Sequence, residues 1–184
     1  MTWLADERDA VATDRLLDAA GELFLAKGVA AVGMAEIASA AGCSRATLYR
    51  YFENRHALQV AYVHREARRL GRGIATQVDG ERDPGRRLVR AVLAAVAGVR
   101  TTPTLAAWFA DASAATAADL AASSEVIESL TAAFLGDVAD ADTRERARWV
   151  VRVVVSLLTM PGASEAEERR MVERYVVPVL LPRQ

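Results

Sequence analysis

The hydrophobic residues of this chain recur every three or four positions over long stretches, which is the spacing of amphipathic helices. The first clear stretch predicts a helix over residues 13–27. Its apolar face is formed by four residues: Leu16, Ala20, Leu23 and Phe24. Gly28 follows in the place where a glycine commonly ends a helix. The pattern therefore predicts that the chain opens with a helix and a turn.

The same spacing predicts an all-α fold of about nine helices. The others are expected over 34–40, 44–52, 55–71, 84–100, 104–110, 123–138, 142–160 and 164–181. A glycine-rich, charged loop is expected over 71–84. The valines after Trp149 are typical of a strand, but residues 142–160 have an aspartate cap, a charged first turn and the length of a helix. Pro178 should kink the last helix or end it early.

Residues 33–58 predict two short helices across a glycine turn. The first carries Met34 and Ile37 on its apolar face, Gly42 interrupts the pattern, and Ser44 is a good N-cap for the second. Two short helices joined in this way form a helix-turn-helix, the motif that places its second helix in the major groove of DNA.

The second of these helices has two chemically different faces. Leu48 and Phe52 fall together on the buried side. The outward side combines a small residue, two arginines and two hydroxyl groups: Ala46, Arg45, Arg50, Thr47 and Tyr49. A small residue allows close approach to DNA, arginine reads base edges, and hydroxyls bond phosphates. The alternative is an ordinary surface helix whose Arg50 and Tyr49 are solvated.

The stretch resembles the DNA-binding domain of the TetR/AcrR family of bacterial transcription regulators. The matching segments are Glu36-Ile37-Ala38, Ala41-Gly42, the run from Ser44 to Phe52, Asn54-Arg55 and Ala57-Leu58. Upstream, the resemblance includes residues 16–20, 23–24 and 27–28, so that it covers about the first third of the chain. It implies a three-helix DNA-binding domain over residues 1–55, followed by an α-helical effector-binding and dimerisation domain over 56–184.

The resemblance also implies which residues contact double-stranded operator DNA. They are Gly33, Ser44, Arg45, Ala46, Thr47, Tyr49, Arg50, Tyr51 and Arg55. Gly33 replaces the serine or threonine that relatives usually have, so any contact there must come from its backbone N–H. Glu36 then provides only half of a capping box. Arg55 matches a lysine that clamps the DNA backbone. The acidic arm before residue 13 is assigned no DNA contact.

Composition and charge are consistent with a globular helical chain that binds nucleic acid only locally. Hydrophobic residues make up 52% of the 184 residues and aromatic residues only 6%, which favours helices. The formal net charge is −1, so the whole chain is not a basic DNA-binding protein. Residues 44–72, however, contain seven arginines against Glu53 and Glu66, a local charge of +5.

Enzyme, metal and membrane functions find little support in the sequence. It has no glycine-rich phosphate loop or nucleophile elbow, and its single cysteine (Cys43) and two histidines suggest no metal site. We therefore expect no catalytic residues, no metal and no cofactor. No apolar stretch is long enough to cross a membrane and no signal peptide is evident, so we expect a cytoplasmic protein with no membrane partner.

The last two helices carry more apolar surface than a small domain easily hides. In the family, the corresponding pair packs against its twin, which implies a homodimer. The expected interface residues are Trp149, Val153, Ser156, Met160, Met171, Tyr175 and Val179. A symmetric dimer also suits a pseudo-palindromic operator. The alternative is that these residues form ordinary core within one chain.

Aromatic and aliphatic residues in the second domain suggest a mostly apolar small-molecule effector. The candidate pocket residues are Leu105, Trp108, Phe109 and Phe134, which could equally be plain core. The favoured function is a repressor released from DNA by this effector. The alternative is a ligand-independent architectural DNA-binding protein or co-regulator. A stable apolar cavity in the second domain would favour the sensor, and a solid core would favour the architectural protein.

Overall fold

The computed structural model describes residues 3–110, 114–135 and 140–181. Every secondary-structure element in these ranges is helical, so the predicted all-α class is confirmed. The described chain contains eleven α-helical segments rather than about nine. One added helix and the division of the last helix account for the difference.

The N-terminal unit is built from three helices, as predicted, but the first begins at Trp3 and not at residue 13, so most of the acidic arm is helical. They are α1 (Trp3–Lys27), α2 (Met34–Ala40) and α3 (Arg45–Tyr51), and a short 3-10 turn (Val29–Ala31) joins the first two. Gly28 and Gly42 have φ of 81° and 68°, in the left-handed region that glycine adopts without strain. The two glycines therefore make the turns that follow α1 and α2.

Helix α4 (Arg55–Val78) runs well past its predicted end at Gly71. The predicted loop over 71–84 is wrong, because only residues 79–83 separate α4 from the next helix. Leu70, Ile74 and Val78 continue the four-residue spacing beyond the glycine. Gly71 faces the side chain of Leu130, and the helix continues through this residue despite the cost of about 1 kcal/mol that a glycine carries inside a helix.

The second domain contains one helix that the sequence pattern did not predict. Its first five helices are α5 (Pro84–Thr101), α6 (Pro103–Ala106), α7 (Ala114–Ser123), α8 (Glu125–Leu135) and α9 (Ala141–Thr159). The unpredicted helix is α7, whose many alanines give no clear apolar stripe. Ser124 separates it from α8 and accepts a hydrogen bond from the Ile127 N–H, 3.1 Å away. The predicted end of this helix at residue 138 lies outside the described residues.

The last helix does not end at Pro178, where the sequence predicted a kink or an early end, but it widens to a π-helical segment just before this residue. It comprises α10 (Glu165–Met171), a π-helical segment (Val172–Val176) and α11 (Val177–Leu180), which follow one another without a break. Proline lacks the N–H for the normal helical bond and its ring crowds the preceding turn. The wider π turn accommodates both effects.

The buried apolar residues of the described ranges form two hydrophobic cores. The first centres on α1, α2 and the start of α4, and it extends to Trp108, Ala117 and Leu120 of the second domain. The second lies among α5, α9 and the last helix. Because Leu58 and Tyr62 belong to the first core, α4 is shared between the domains. The boundary between residues 55 and 56 stays a prediction.

Candidate nucleic-acid interface and ligand cavity

Helix α3 begins at the predicted N-cap. The Ser44 hydroxyl accepts a hydrogen bond from the Thr47 N–H at 3.0 Å and lies 2.9 Å from the Thr47 hydroxyl. This cap satisfies one of the amide groups left free at a helix start. Both hydroxyls thus lie together at the start of α3, on the solvent side.

The two faces of α3 have the predicted burial. Leu48 is completely buried and Phe52 is 6% exposed. The exposed residues of the segment are Ser44, Arg45, Ala46, Tyr49 and Arg50. Among the described residues, neither arginine forms a hydrogen bond or salt bridge, so both guanidinium groups are available to an external anion or base edge.

Tyr51 lies at the edge of the exposed face and is only half-buried. Its hydroxyl donates a hydrogen bond to Asp9 of α1 at 3.0 Å, and the Arg50 guanidinium lies 5.3 Å from its ring centroid. These contacts fix the orientation of Tyr51 beside Arg50. A phosphate contact from this hydroxyl would have to replace the bond to Asp9.

The expected contact from the Gly33 backbone is not supported. Its N–H donates to the Glu36 carboxylate at 3.1 Å, which is the predicted half of a capping box. Lys27 donates to the same carboxylate at 2.6 Å. These bonds hold the pKa of Glu36 below its usual value, chiefly through Lys27. The amide that was expected to reach a phosphate therefore has a partner within the chain.

Arg55 is also engaged within the protein rather than free to clamp DNA. Its Nη2 donates to the carbonyl oxygens of Val29 and Ala30, at 2.6 and 2.8 Å. Its Nε is buried without a hydrogen-bond partner among the described residues. The neighbouring Asn54 caps α4 as predicted, because its side chain accepts from the Ala57 N–H at 2.9 Å. The guanidinium joins the start of α4 to the turn after α1.

The local charge available to DNA is smaller than the sequence count of +5. Arg65 bonds to Glu66 and lies within salt-bridge distance of Asp14 and Asp18 on α1. Arg69 pairs with the same Glu66 at 3.1 Å. Arg55 is bound to carbonyls as well. Four of the seven arginines therefore have no side-chain bond or salt bridge among the described residues: Arg45 and Arg50 on α3, and Arg68 and Arg72 further along α4.

A cavity of about 220 Å³ lies in the second domain, between α4, α5, α8 and α9. Its walls are almost entirely aliphatic and aromatic. All four residues predicted for an effector pocket line it: Leu105, Trp108, Phe109 and Phe134. The interior of this domain is therefore not a solid core.

Two polar residues of the cavity wall were not identified from the sequence. Glu66 on α4 and Thr131 on α8 both line the cavity. Glu66 interrupts the apolar series Leu58, Tyr62, Leu70, at the spacing of successive turns. An acid at such a position was the available signal, because charged groups on a buried face are rare without a partner.

Trp108 connects this cavity to the DNA-binding unit. Its ring stacks on Tyr62 of α4, with centroids 5.7 Å apart, and packs edge-on against Phe24 of α1 at 5.3 Å. Burial is the main cause that raises the pKa of Tyr62 above its usual value. Trp108 thus lines the cavity and also contacts α1 and α4, which belong to the core of the DNA-binding unit.

The residues predicted for the dimer interface form an apolar surface on the last helices. Met160 is 71% exposed, Val179 65% and Tyr175 62%. Trp149 and Met171 are exposed as well, Ser156 is exposed and Val153 is half-buried. Met171, Tyr175 and Val179 follow one another at four-residue intervals. The described chain leaves these side chains largely uncovered, except that Val153 packs against the second core.

The part of the chain that the structure describes contains no group of three or more histidine, cysteine or acidic residues able to hold a metal ion. None of its helices is long and apolar enough to cross a membrane.

Comparison with known proteins identifies the helix-turn-helix. Residues 16–62 match the family model of bacterial regulatory proteins of the tetR family. The chain is also similar to the HTH-type transcriptional regulator Rv1255c of Mycobacterium tuberculosis, with 49% identity over 183 residues. That alignment covers 98% of this chain and 91% of the relative.

Solved structures share the fold. The structure of RolR in complex with resorcinol has a TM-score of 0.71 at 16% identity, and the match covers 95% of this chain and 89% of that one. The Thermus thermophilus FadR repressor in complex with lauroyl-CoA has a TM-score of 0.61 at 21% identity, covering 94% and 96%. Given the family match and the relative aligned along almost its full length, this chain belongs to the TetR family of bacterial HTH-type transcriptional regulators.

Proposed function

We propose that this regulator is a repressor that binds a pseudo-palindromic operator as a homodimer and is released by a small, mostly apolar effector. The main support for effector binding is the apolar cavity in the second domain, which is lined by all four residues that the sequence suggested. A ligand-independent architectural protein has no need of such a space. The ligand complexes of RolR and FadR support an effector site in this fold.

The exposed face of α3 is the proposed reading surface. Arg45 and Arg50 are exposed, and Ala46 between them leaves room for close approach to base edges. Arginine can make two hydrogen bonds to a guanine in the major groove. Ser44, Thr47 and Tyr49 supply hydroxyl groups for the phosphates on either side.

The uncovered apolar surface of α9 to α11 is the proposed dimer interface. Exposed apolar surface of this extent on a monomer marks an interaction site. A two-fold axis there would give two copies of α3, which would read half-sites about 34–36 Å apart. A homodimer therefore explains both the exposed surface and the expected symmetry of the operator.

The proposed route from effector to DNA runs through Trp108 and α4. An effector in the cavity would press on Trp108, which contacts Phe24 and Tyr62 on α1 and α4. Moving these helices would change the spacing of the two α3 helices. The loss of operator affinity cannot exceed the preference of the effector for the conformation whose α3 spacing does not fit DNA. Such couplings are typically about 1–3 kcal/mol. The operator must weaken effector binding by the same factor.

Selection of binding sites from a random pool of double-stranded DNA tests the operator reading. We expect enrichment of an inverted repeat. The Arg50→Ala variant should lose discrimination at one base pair of each half-site, by about 1–3 kcal/mol.

Arg86→Ala is the matched control, because Arg86 is exposed on α5 and far along the chain from α3. It should select the same sequence as the unaltered protein. Failure to enrich any sequence would contradict the proposal. An unchanged preference in Arg50→Ala would instead make Arg50 a phosphate contact.

A further inference from the structure

The cavity in the second domain has few groups that could recognise the polar part of a ligand. Among the described residues that line it, only Glu66, Thr131 and Trp108 carry a nitrogen or oxygen atom in the side chain. Apolar walls provide affinity but little discrimination, so the chemical class of the ligand depends on these few groups.

Glu66 presents a hydrogen-bond acceptor at the α4 wall. Its side chain is only 9% exposed. Arg65 Nε and Arg69 Nη1 both donate to Oε1, at 2.9 and 3.1 Å. No described residue bonds to Oε2. Glu66 lines the cavity and the lone pairs of this atom are unused, so Oε2 is a binding point for a donor from a ligand.

Thr131 on α8 offers a second, weaker acceptor. Its hydroxyl donates to the Ile127 carbonyl at 2.8 Å, which uses its proton and leaves only lone pairs. A neutral hydroxyl oxygen is a weaker acceptor than a carboxylate. Both open oxygen atoms of the cavity wall therefore require a donor from the ligand.

We propose that the cavity binds a neutral, mainly apolar molecule that carries a hydroxyl group, and that this hydroxyl donates its proton to Oε2 of Glu66. This inference rests on the proposed effector site. The aromatic residues beside Glu66 favour a ring for the apolar part. Trp108 lines the cavity and stacks on Tyr62, which lies one turn of α4 before Glu66.

Charged ligands fit this wall poorly. A carboxylate or phosphate could accept from the Trp108 Nε1–H, which is buried without a hydrogen-bond partner among the described residues. It brings no donor, however, and places a negative charge beside the Glu66 carboxylate. An ammonium would lose its hydration among aliphatic walls, while the charge of Glu66 is already matched by Arg65 and Arg69. A hydroxyl supplies the donor without either cost.

The size of the cavity agrees with one substituted ring. An apolar cavity of about 150 Å³ in another protein holds a benzene molecule. The cavity here, at about 220 Å³, has room for a ring with a short substituent.

Titration calorimetry of the full chain with four ring compounds tests the inference. The probes are 4-ethylphenol, ethylbenzene, 4-ethylanisole and 4-ethylbenzoate, which present a hydroxyl, no polar group, a methylated oxygen and a carboxylate. We expect 4-ethylphenol to bind at least about tenfold more tightly than each of the others, since only it donates a hydrogen bond to a charged acceptor.

Three variants locate the acceptor. Glu66→Gln should lower the affinity for 4-ethylphenol by about tenfold, because the amide is a weaker acceptor of similar size. The affinity for ethylbenzene should change by less than about twofold. Thr131→Val removes the other oxygen at nearly constant shape and should retain the preference for the phenol. Thr76→Val is the matched control, because Thr76 makes the same backbone bond on an exposed turn of α4.

Equal binding of 4-ethylphenol and ethylbenzene would overturn the hydroxyl assignment while leaving an effector site in the cavity. Tighter binding of 4-ethylbenzoate, or no binding of any probe, would also overturn it. Loss of the preference in Thr131→Val and not in Glu66→Gln would overturn the role of Glu66. Because the operator selection uses no ligand, failure here and failure of the proposed DNA-binding function are distinguishable.

Discussion

At the scale of single residues, the arginines near α3 differ in what their side chains contact. Arg45 and Arg50 are exposed to solvent, whereas Arg55 donates to the first two carbonyls of the 3-10 turn. These carbonyls follow α1, where backbone acceptors lack helical partners. Arg55 therefore acts as a clamp within the protein, between α1 and α4.

Arg55→Ala should lower the free energy of unfolding by roughly 1–3 kcal/mol, because it removes two hydrogen bonds from a charged donor to backbone carbonyls, one of them part-buried. Urea unfolding measures this loss. The salt dependence of DNA binding should stay unchanged, since no phosphate contact is lost.

The matched control is Arg45→Ala, which should leave the stability unchanged and weaken DNA binding. The opposite result would be unchanged stability of Arg55→Ala and a slope of log affinity against log salt that becomes shallower by about one per subunit. It would show that Arg55 contacts a phosphate, as the resemblance implied.

At the scale of elements, an ion pair between a partly exposed arginine and a buried glutamate joins α5 to the last helix. Arg100 on α5 donates to both oxygens of Glu168 on α10, at 2.7 and 2.9 Å, and also to the Leu157 carbonyl at 2.7 Å. The Gly162 N–H donates to Glu168 at 2.9 Å. The Arg100 bonds, more than any other interaction, hold the pKa of Glu168 below its usual value, and burial opposes them.

A depressed pKa makes this contribution to stability depend on pH. It is fully present above the ordinary glutamate pKa of 4.5 and is lost as pH falls through the lower pKa of the folded state. Glu168→Gln should therefore lower the free energy of unfolding by roughly 1–3 kcal/mol at pH 7. The difference from the unaltered protein should shrink as the pH falls below 4.5, as urea unfolding at several pH values would show.

Glu165→Gln on the same helix is the control, because its carboxylate is largely exposed and lies 3.8 Å from Arg169. Surface pairs of this kind contribute about 0–1 kcal/mol. A constant difference between Glu168→Gln and the unaltered protein at all pH values would argue against the ion pair as its source.

At the scale of the whole molecule, an apolar face remains uncovered on the last helices. Tyr175 and Val179 project from this face while Val176 and Leu180, their neighbours, fill the core behind it. A helix that is apolar on both sides needs a second packing partner. The proposed homodimer supplies it.

Tyr175→Glu should convert the dimer to a monomer at micromolar concentration, because it places a charge at the centre of an apolar interface. Sedimentation velocity measures the change. Operator affinity should fall with it, since two half-sites must be bound together.

Leu25→Glu is the matched control, because Leu25 is similarly exposed but lies on α1. It should sediment as the unaltered protein does. A monomer in the unaltered protein, with operator binding intact, would contradict the proposed dimer.

Local patterns in the sequence were enough to predict the three helices of the DNA-binding unit, although not the start of α1. Ser44 and Asn54 cap α3 and α4 through bonds that span three residues, so neighbouring residues decide them. Leu48 and Phe52 are buried because helix geometry places both on one side. The all-α class follows from the same spacing over the whole chain.

Only the tertiary structure decided where α4 ends, how Arg55 is used and whether the second domain is hollow. Each depends on residues distant in sequence: Leu130 packs on Gly71, and the carbonyls of Val29 and Ala30 bind Arg55. A cavity arises where the packed faces of several helices leave space between them, so the residue pattern of one helix cannot predict it. Short-range periodicity thus determined the helices and their faces, whereas the roles of side chains between helices were set when packing brought distant partners together.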